Sequence, residues 1–221
     1  MLTERSLLDG HSITFRNYSA ADATACGKLA REAWPMPPGI AIGMRTEEML
    51  GNWMSSTVAS STWAEVAEDE HGIIGLLFGS VKGQPDLKEQ STPFGMQVGM
   101  MLRALSGPPG NIVRTLRLFA GFMLTELKLR LYDPRTDAEI LMLIVGGAHR
   151  GKGLGRKLVN RFTEAARKQG ARSVSLYTDD QTSNWRFYEI LGFNQVAKFY
   201  DNGSSRYSGK HATGMIYRLD I

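Results

Sequence analysis

The segment Ile144-Val145-Gly146-Gly147-Ala148-His149-Arg150-Gly151-Lys152-Gly153-Leu154-Gly155-Arg156 constrains this chain more than any other part of it. Just before it, Ala138 to Val145 is an almost unbroken apolar run of the kind that forms a buried strand. Just after it, Leu154, Leu158, Val159, Phe162, Ala165 and Ala166 recur at helical spacing, and Gly170 is a natural stop. A buried strand therefore runs into a glycine-rich turn that opens directly onto a helix. Glycine permits positive φ and lets a ligand approach the main chain closely. The unpaired N–H groups of the turn and of the first helical residues then converge on one spot, where the helix dipole also favours negative charge. That is a phosphate site by construction.

Spacing separates the known kinds. A Walker A loop, G-x-x-x-x-G-K-[ST], is met by Gly146, Gly151 and Lys152, but Gly153 replaces the hydroxyl that would hold magnesium. A dinucleotide fingerprint, G-x-G-x-x-G, is met by Gly151 and Gly153 but ends on Arg156. The pattern [RQ]-x-x-G-x-[GA] is filled completely by Arg150, Gly153 and Gly155. The strand before it carries Ala138-Glu139-Ile140 with Leu143 and Val145, and beyond the next strand stands Tyr188-Glu189-Ile190-Leu191-Gly192-Phe193. On these residues the sequence resembles the GNAT superfamily of acyl-CoA-dependent N-acyltransferases. The resemblance rests on motifs over residues 137–221 and on the order of elements over 12–82.

The resemblance implies an α/β fold with a mixed, mostly antiparallel twisted sheet flanked by helices. It implies acetyl-CoA as co-substrate, and no metal is needed because the thioester is already activated. The backbone of Leu143, Ile144 and Val145 would pair with the pantetheine arm as an added strand does. The backbone N–H groups of Gly151, Lys152, Gly153, Leu154, Gly155 and Arg156 would hold the pyrophosphate, with Arg150, Lys152, Arg156 and Lys157 adding positive charge. Tyr188 matches the tyrosine that protonates the departing thiolate. Asn184 matches an asparagine that binds pantetheine in some members, whereas others place it where this chain has Gln181. An alkylamine must lose a proton before it attacks. Glu139 occupies the position of the base in some members, and Asp179 and Asp180 are the alternatives.

Elsewhere the chain reads as strands over Ser12–Arg16, Thr62–Glu68 and Gly72–Lys82, with helices after Ser19-Ala-Ala-Asp22 and over Arg45–Met54. Trp34-Pro-Met-Pro-Pro-Gly39 must be a loop. A strand over Ser173–Tyr177, a short helix over Asn184–Leu191 and strands around Asn194–Tyr200 and Met215–Leu219 complete the pattern. Residues 1–221 are expected to be one N-acetyltransferase domain. Within it, 83–136 would be a helical insertion between the third and fourth strands, divided by Ser106-Gly-Pro-Pro-Gly110. There Ile112, Val113, Leu116, Phe119, Met123 and Leu127 recur at helical spacing, and Met96, Met100 and Met101 precede them. Such a stripe suits a wall or lid of the acceptor site, or a surface packed on the sheet or across a homodimer.

Composition sets the remaining limits. A single cysteine, Cys26, excludes an intrachain disulfide and lies in an Ala-rich helical pattern, as a packed core thiol does. Met1–Ser6 lacks the basic and apolar regions of a signal peptide, and no long uncharged apolar stretch exists, so a cytoplasmic protein without a membrane partner is expected. The net charge of +4 is compatible with phosphate-bearing ligands. The basic residues of 150–168 are not interleaved with aromatics, which argues against nucleic acid. The acceptor is then a small-molecule or peptide amine. The alternative function is a non-catalytic acyl-CoA or nucleotide-phosphate binding module.

Overall fold

The computed structural model describes residues 4–8, 11–34, 46–85, 87 and 109–221. The strands are β1 Glu4–Leu8, β2 His11–Asn17, β3 Trp63–Asp69, β4 Gly72–Val81, β5 Ala138–Val145, β6 Ser173–Asp179, β7 Asn194–Tyr200 and β8 Thr213–Asp220. The helices are α1 Ala23–Ala33, α2 Thr46–Ala59, α3 Pro109–Leu131, α4 Leu154–Lys168, α5 Arg186–Ile190 and α6 Asn202–Ser208. Contacts divide the chain into two units. The first joins Met1–Pro35, Thr46–Pro93 and Ala138–Ala171, and the second joins Met36–Arg45, Phe94–Asp137 and Arg172–Ile221.

In the first unit β1 to β5 pair in chain order, every pairing antiparallel. Side chains alternate across a strand, so one sheet face carries Val66, Leu76, Phe78, Met142 and Ile144, buried with Cys26, Leu29 and Ala30 of α1 and Met54 and Val58 of α2. The Cys26 thiol is fully buried there, and burial pushes its pKa up to about 12, as suits a core side chain rather than a nucleophile. The other face takes α4. Gly75 and Gly79 make room for it: a Cβ at Gly79 would stand 2.5 Å from the Phe162 ring. Burying Leu158 and Phe162 completely contributes roughly 1.5–3 kcal/mol each before cavity terms. Arg161 of α4 grips the buried Glu65 of β3 through two nitrogens at 2.8–3.0 Å and lies over the Phe15 ring.

One irregularity bears on the chemistry. Phe78 of β4 pairs with Met142 and Gly79 with Ile140, so Leu141 is an extra residue in β5. The bulge shifts the alternation. Glu139 pairs with Ser80, which follows Phe78 on the face opposite α4. Glu139 therefore shares the face of Met142 and Ile144, and it is exposed.

In the second unit β6, β8 and β7 pair in that order, again antiparallel. α3 packs on α6, and two glycines bring their backbones close. A Cβ at Gly121 would meet the Asn202 carbonyl oxygen at 2.8 Å, and one at Gly203 would meet the Phe122 ring at 2.5 Å. Asp201 caps α6 by accepting the Ser204 N–H at 3.0 Å and also accepts the Thr125 hydroxyl at 2.6 Å. Tyr177 donates its hydroxyl to the other Asp201 oxygen. Burial, then the Asp201 charge, pushes the Tyr177 pKa well up. Lys128 donates to the Tyr200 carbonyl and to Asn202 Oδ1 at 2.7 and 2.8 Å.

Most elements fall where periodicity places them, with three differences. β1 and α6 have no counterpart in the sequence reading, so the third and fourth expected strands are β4 and β5. α3 begins at Pro109, inside the stretch read as a loop, because proline is tolerated in a first helical turn. The short helix starts at Arg186 rather than Asn184. Most of the loop after Trp34, and Met96, Met100 and Met101, lie outside the described residues.

Candidate active site

In the first unit, β5 ends at Val145 and a 3₁₀ turn over Gly147–His149 leads into the loop. Gly151 has φ +76° and Gly153 φ +86°, left-handed values that L side chains rarely adopt. Gly153 is the N-cap of α4, and no side chain caps the helix there. In the first intrahelical bond the Lys157 N–H donates to the Gly153 carbonyl at 3.0 Å. The N–H groups of Leu154, Gly155 and Arg156 thus begin a fifteen-residue helix without helical partners, at the positive end of its dipole. A Cβ at Gly151 would have open space around it, so its constraint is conformational rather than steric.

The basic side chains divide. Arg150, Lys152 and Arg156 are exposed. Lys157, expected among the phosphate-facing charges, instead holds Nζ over the Phe15 ring at 5.4 Å. Arg150 Nε donates to the Val145 carbonyl at 2.9 Å, so the backbone oxygen at the end of the expected pantetheine strand has an internal donor. Leu143 and Val145 are half-buried, whereas Ile144 sits in the core.

Two acidic residues hold the approach to the loop. Glu32 of α1 accepts the Gly147 N–H at 2.8 Å. Asp69, at the end of β3, accepts the His71 N–H at 2.8 Å and places its second oxygen 3.3 Å from His149 Nε2. The sequence reading missed both. The only local signal was Asp69 at a turn, an Asx-type position, while its contact with His149 is long-range. His71 itself is exposed.

In the second unit, Tyr188 is the third residue of α5. Its ring meets Phe187 and Phe193 edge-on at 5.2 and 6.0 Å and Tyr217 at 6.4 Å. Burial pushes its pKa up to about 12, so the neutral, proton-carrying form persists far above neutrality. Tyr217 donates to Glu189 Oε1 at 3.1 Å, fixing the residue beside it. Asn184 is exposed, and its carbonyl accepts the Phe187 N–H at 3.0 Å. Gln181 donates its side-chain amide to Asp180 at 3.2 Å.

The alternative bases have structural tasks. Asp179 is buried and accepts the N–H groups of Gln181 and Thr182 at 2.8 Å, the Thr182 hydroxyl at 2.6 Å and the Ser204 hydroxyl at 3.2 Å. Asp180 accepts the Thr213 N–H at 2.8 Å. Both carboxylates shape the turn after β6. Among the described residues no cluster of three or more His, Cys, Asp or Glu could hold a metal, and no helix is long and apolar enough to cross a membrane.

Residues 109–193 match the model of the acetyltransferase (GNAT) family. A mycothiol acetyltransferase of Beutenbergia cavernae is 36% identical over 78 residues, 35% of this chain; the chain spans about a quarter of that relative's length, 26%. A polyamine N-acetyltransferase of Drosophila melanogaster superposes with a TM-score of 0.51 at 17% identity, over 95% of this chain and 100% of its own. A candidate acetyltransferase of Salmonella typhimurium, solved with its cofactor acetyl-CoA, gives a TM-score of 0.53 at 18% identity, over 94% of this chain and 93% of its own. The fold is the one these N-acetyltransferases share.

Proposed function

We infer that this chain, whose residues 109–193 match the model of the acetyltransferase (GNAT) family, is a member of that family and moves an acetyl group from acetyl-CoA to a primary amine of a small molecule or peptide. The observation that carries the reading is the uncapped N-terminus of α4 behind two positive-φ glycines, directly after a buried strand. Acetyl-CoA is the anion that such a loop suits within this family, and the Salmonella structure of the same fold holds it. The reading treats 1–221 as one catalytic domain with 83–136 as an insertion within it.

On this reading the amides of Gly151 to Arg156 bind the pyrophosphate, and Arg150, Lys152 and Arg156 add charge around it. Leu143 to Val145 offer backbone groups to the pantetheine, and Asn184 adds a side-chain amide. The Arg150 guanidinium leaves the Val145 carbonyl when the cofactor's own amide replaces it there, and moves to the phosphates. Glu139, directly or through water, takes a proton from the acceptor ammonium. The amine lone pair forms the new C–N bond at the thioester carbonyl, the C–S bond breaks as the tetrahedral adduct collapses, and the nitrogen loses its surplus proton to solvent. Tyr188 gives its proton to the departing sulfur, and its raised pKa keeps the hydroxyl protonated and available for that transfer.

Free-thiol release from acetyl-CoA across a panel of amines, run beside calorimetry with acetyl-CoA and with ATP–magnesium, tests this. Acetyl-CoA binding together with amine-dependent thiol release is expected. Binding without release from any amine would leave a non-catalytic acyl-CoA module, and a preference for ATP–magnesium would overturn the cofactor.

A further inference from the structure

We propose that the outer face of α3 is a self-association surface on which the α3 helix of a second copy of this chain packs antiparallel. The inner face is fixed by specific ties to the β7–α6 segment. Thr125 donates to Asp201, Lys128 to Tyr200 and Asn202, and Arg206 to the Arg117 carbonyl. Gly121 and Gly203 set the close approach. With these in place α3 cannot roll about its axis, so the side chains left outside are determined.

Those side chains are Val113, Leu116, Met123, Leu124, Leu127 and Leu131, exposed to 53, 44, 61, 43, 54 and 73%. With Ala120 between Leu116 and the adjacent pair Met123 and Leu124, they follow three- and four-residue steps, the seam that fits another helix of the same spacing. The six present roughly 600 Å² of largely apolar surface, at the upper end of what a soluble monomer leaves open and most of the ~800 Å² per partner that a standard interface buries. The area points to a folded partner rather than to a small acceptor. A second copy brings the same seam, as a two-fold interface requires. Ala120 lies in the middle of the seam and is exposed, and a two-fold axis passing beside it lets the helices approach closely.

Light scattering after gel filtration, at tens of micromolar of the 221-residue chain, tests the surface. The wild type is expected to run at twice the monomer mass, and the double variant Leu116→Glu/Leu127→Glu at the monomer mass with unchanged acetyl-CoA affinity. Because Cys26 is fully buried, Ala120→Cys would place the one reactive thiol on the seam. A short bis-maleimide should join two copies of that variant in high yield. A monomeric wild type with Ala120→Cys slow to react would mean that another part of the same chain covers the face, and the proposal falls. A dimer whose mass the Leu116/Leu127 variant leaves unchanged overturns it equally. If the double variant does not fold, the Ala120→Cys cross-link decides.

Discussion

His149 Nε2 stands 3.3 Å from Asp69 Oδ2, and the other oxygen of the same carboxylate closes the β3–β4 turn through the His71 N–H. One carboxylate thus serves a hairpin and the approach to the glycine loop together. His149 immediately precedes Arg150, so its imidazole and the Arg150 guanidinium are the side-chain anchors just before the glycines take over. We expect Asp69→Ala and His149→Ala each to weaken acetyl-CoA binding about fivefold to tenfold by calorimetry. The pair is partly exposed, which keeps the effect at this modest level. The double variant should lose no more than either single one, and strictly multiplicative losses would show that the two residues act independently.

Gly153 gives the sharper test of the loop. Its φ of +86° is strained for any β-branched residue. Gly153→Val is expected to abolish detectable acetyl-CoA binding while the circular dichroism spectrum stays that of the folded protein. Unchanged affinity in a folded variant would remove this loop from the cofactor site.

Tyr188→Phe should keep acetyl-CoA affinity and lower turnover about 10²–10⁴-fold if its hydroxyl is the only acid. The pH dependence has a definite sign. Since burial pushes the Tyr188 pKa up to about 12, the proton donor stays loaded across the accessible range. Turnover should rise with pH as the amine is deprotonated and show no tyrosine-linked fall below about pH 11. An alkaline limb near the ordinary tyrosine value of about 10 that disappears in Tyr188→Phe would contradict the buried setting.

Asp22 supplies a stability prediction. Arg16 donates to both its oxygens at 2.7 and 2.8 Å and, with Ser19, holds its pKa below the ordinary carboxylate value. A depressed folded pKa means that the stabilisation is complete above the unfolded value of about 3.9 and is lost as pH falls through the lower folded value. The midpoint of thermal unfolding should therefore drop steeply as pH falls below about 4 in the wild type and less steeply in Asp22→Asn, whose midpoint is already lower at pH 7.

The glycine loop and its two flanks were legible in the sequence because each is dictated locally. An apolar run, glycines needing positive φ and a helical stripe ending at Gly170 leave little choice. α6 was not legible. Asn202-Gly-Ser-Ser-Arg-Tyr-Ser208 is a poor helix former, and what holds it is the Asp201 cap and the fit of Gly203 under Phe122. Nor could sequence show that Asp179 is occupied with backbone and hydroxyl groups, or that Lys157 prefers the Phe15 ring. The Lys157 outcome depends on a residue far along the chain, and the Asp179 one on the exact shape of the turn after β6 and on the distant Ser204. The outer stripe of α3 was visible as a stripe, but which neighbour it lacked became visible only once its inner face was fixed.

The extra residue at Leu141 makes the length of β5 matter as much as its letters. Parity along a strand decides the side on which a group emerges, and Glu139 lies beyond the place where parity changes. A chain with one more residue between Phe78 and Gly79, opposite Leu141, would keep Ala138-Glu139-Ile140 and the whole glycine loop, and any comparison of those motifs would score it as intact. Its ladder with β4 would run straight, and the carboxylate would emerge on the side of Phe162, against the apolar packing of α4. The intended base would become a buried charge, and the neighbouring alanine would take its former place. With Glu139 as the proposed base, a single insertion far from the loop would thus silence turnover while leaving cofactor binding untouched.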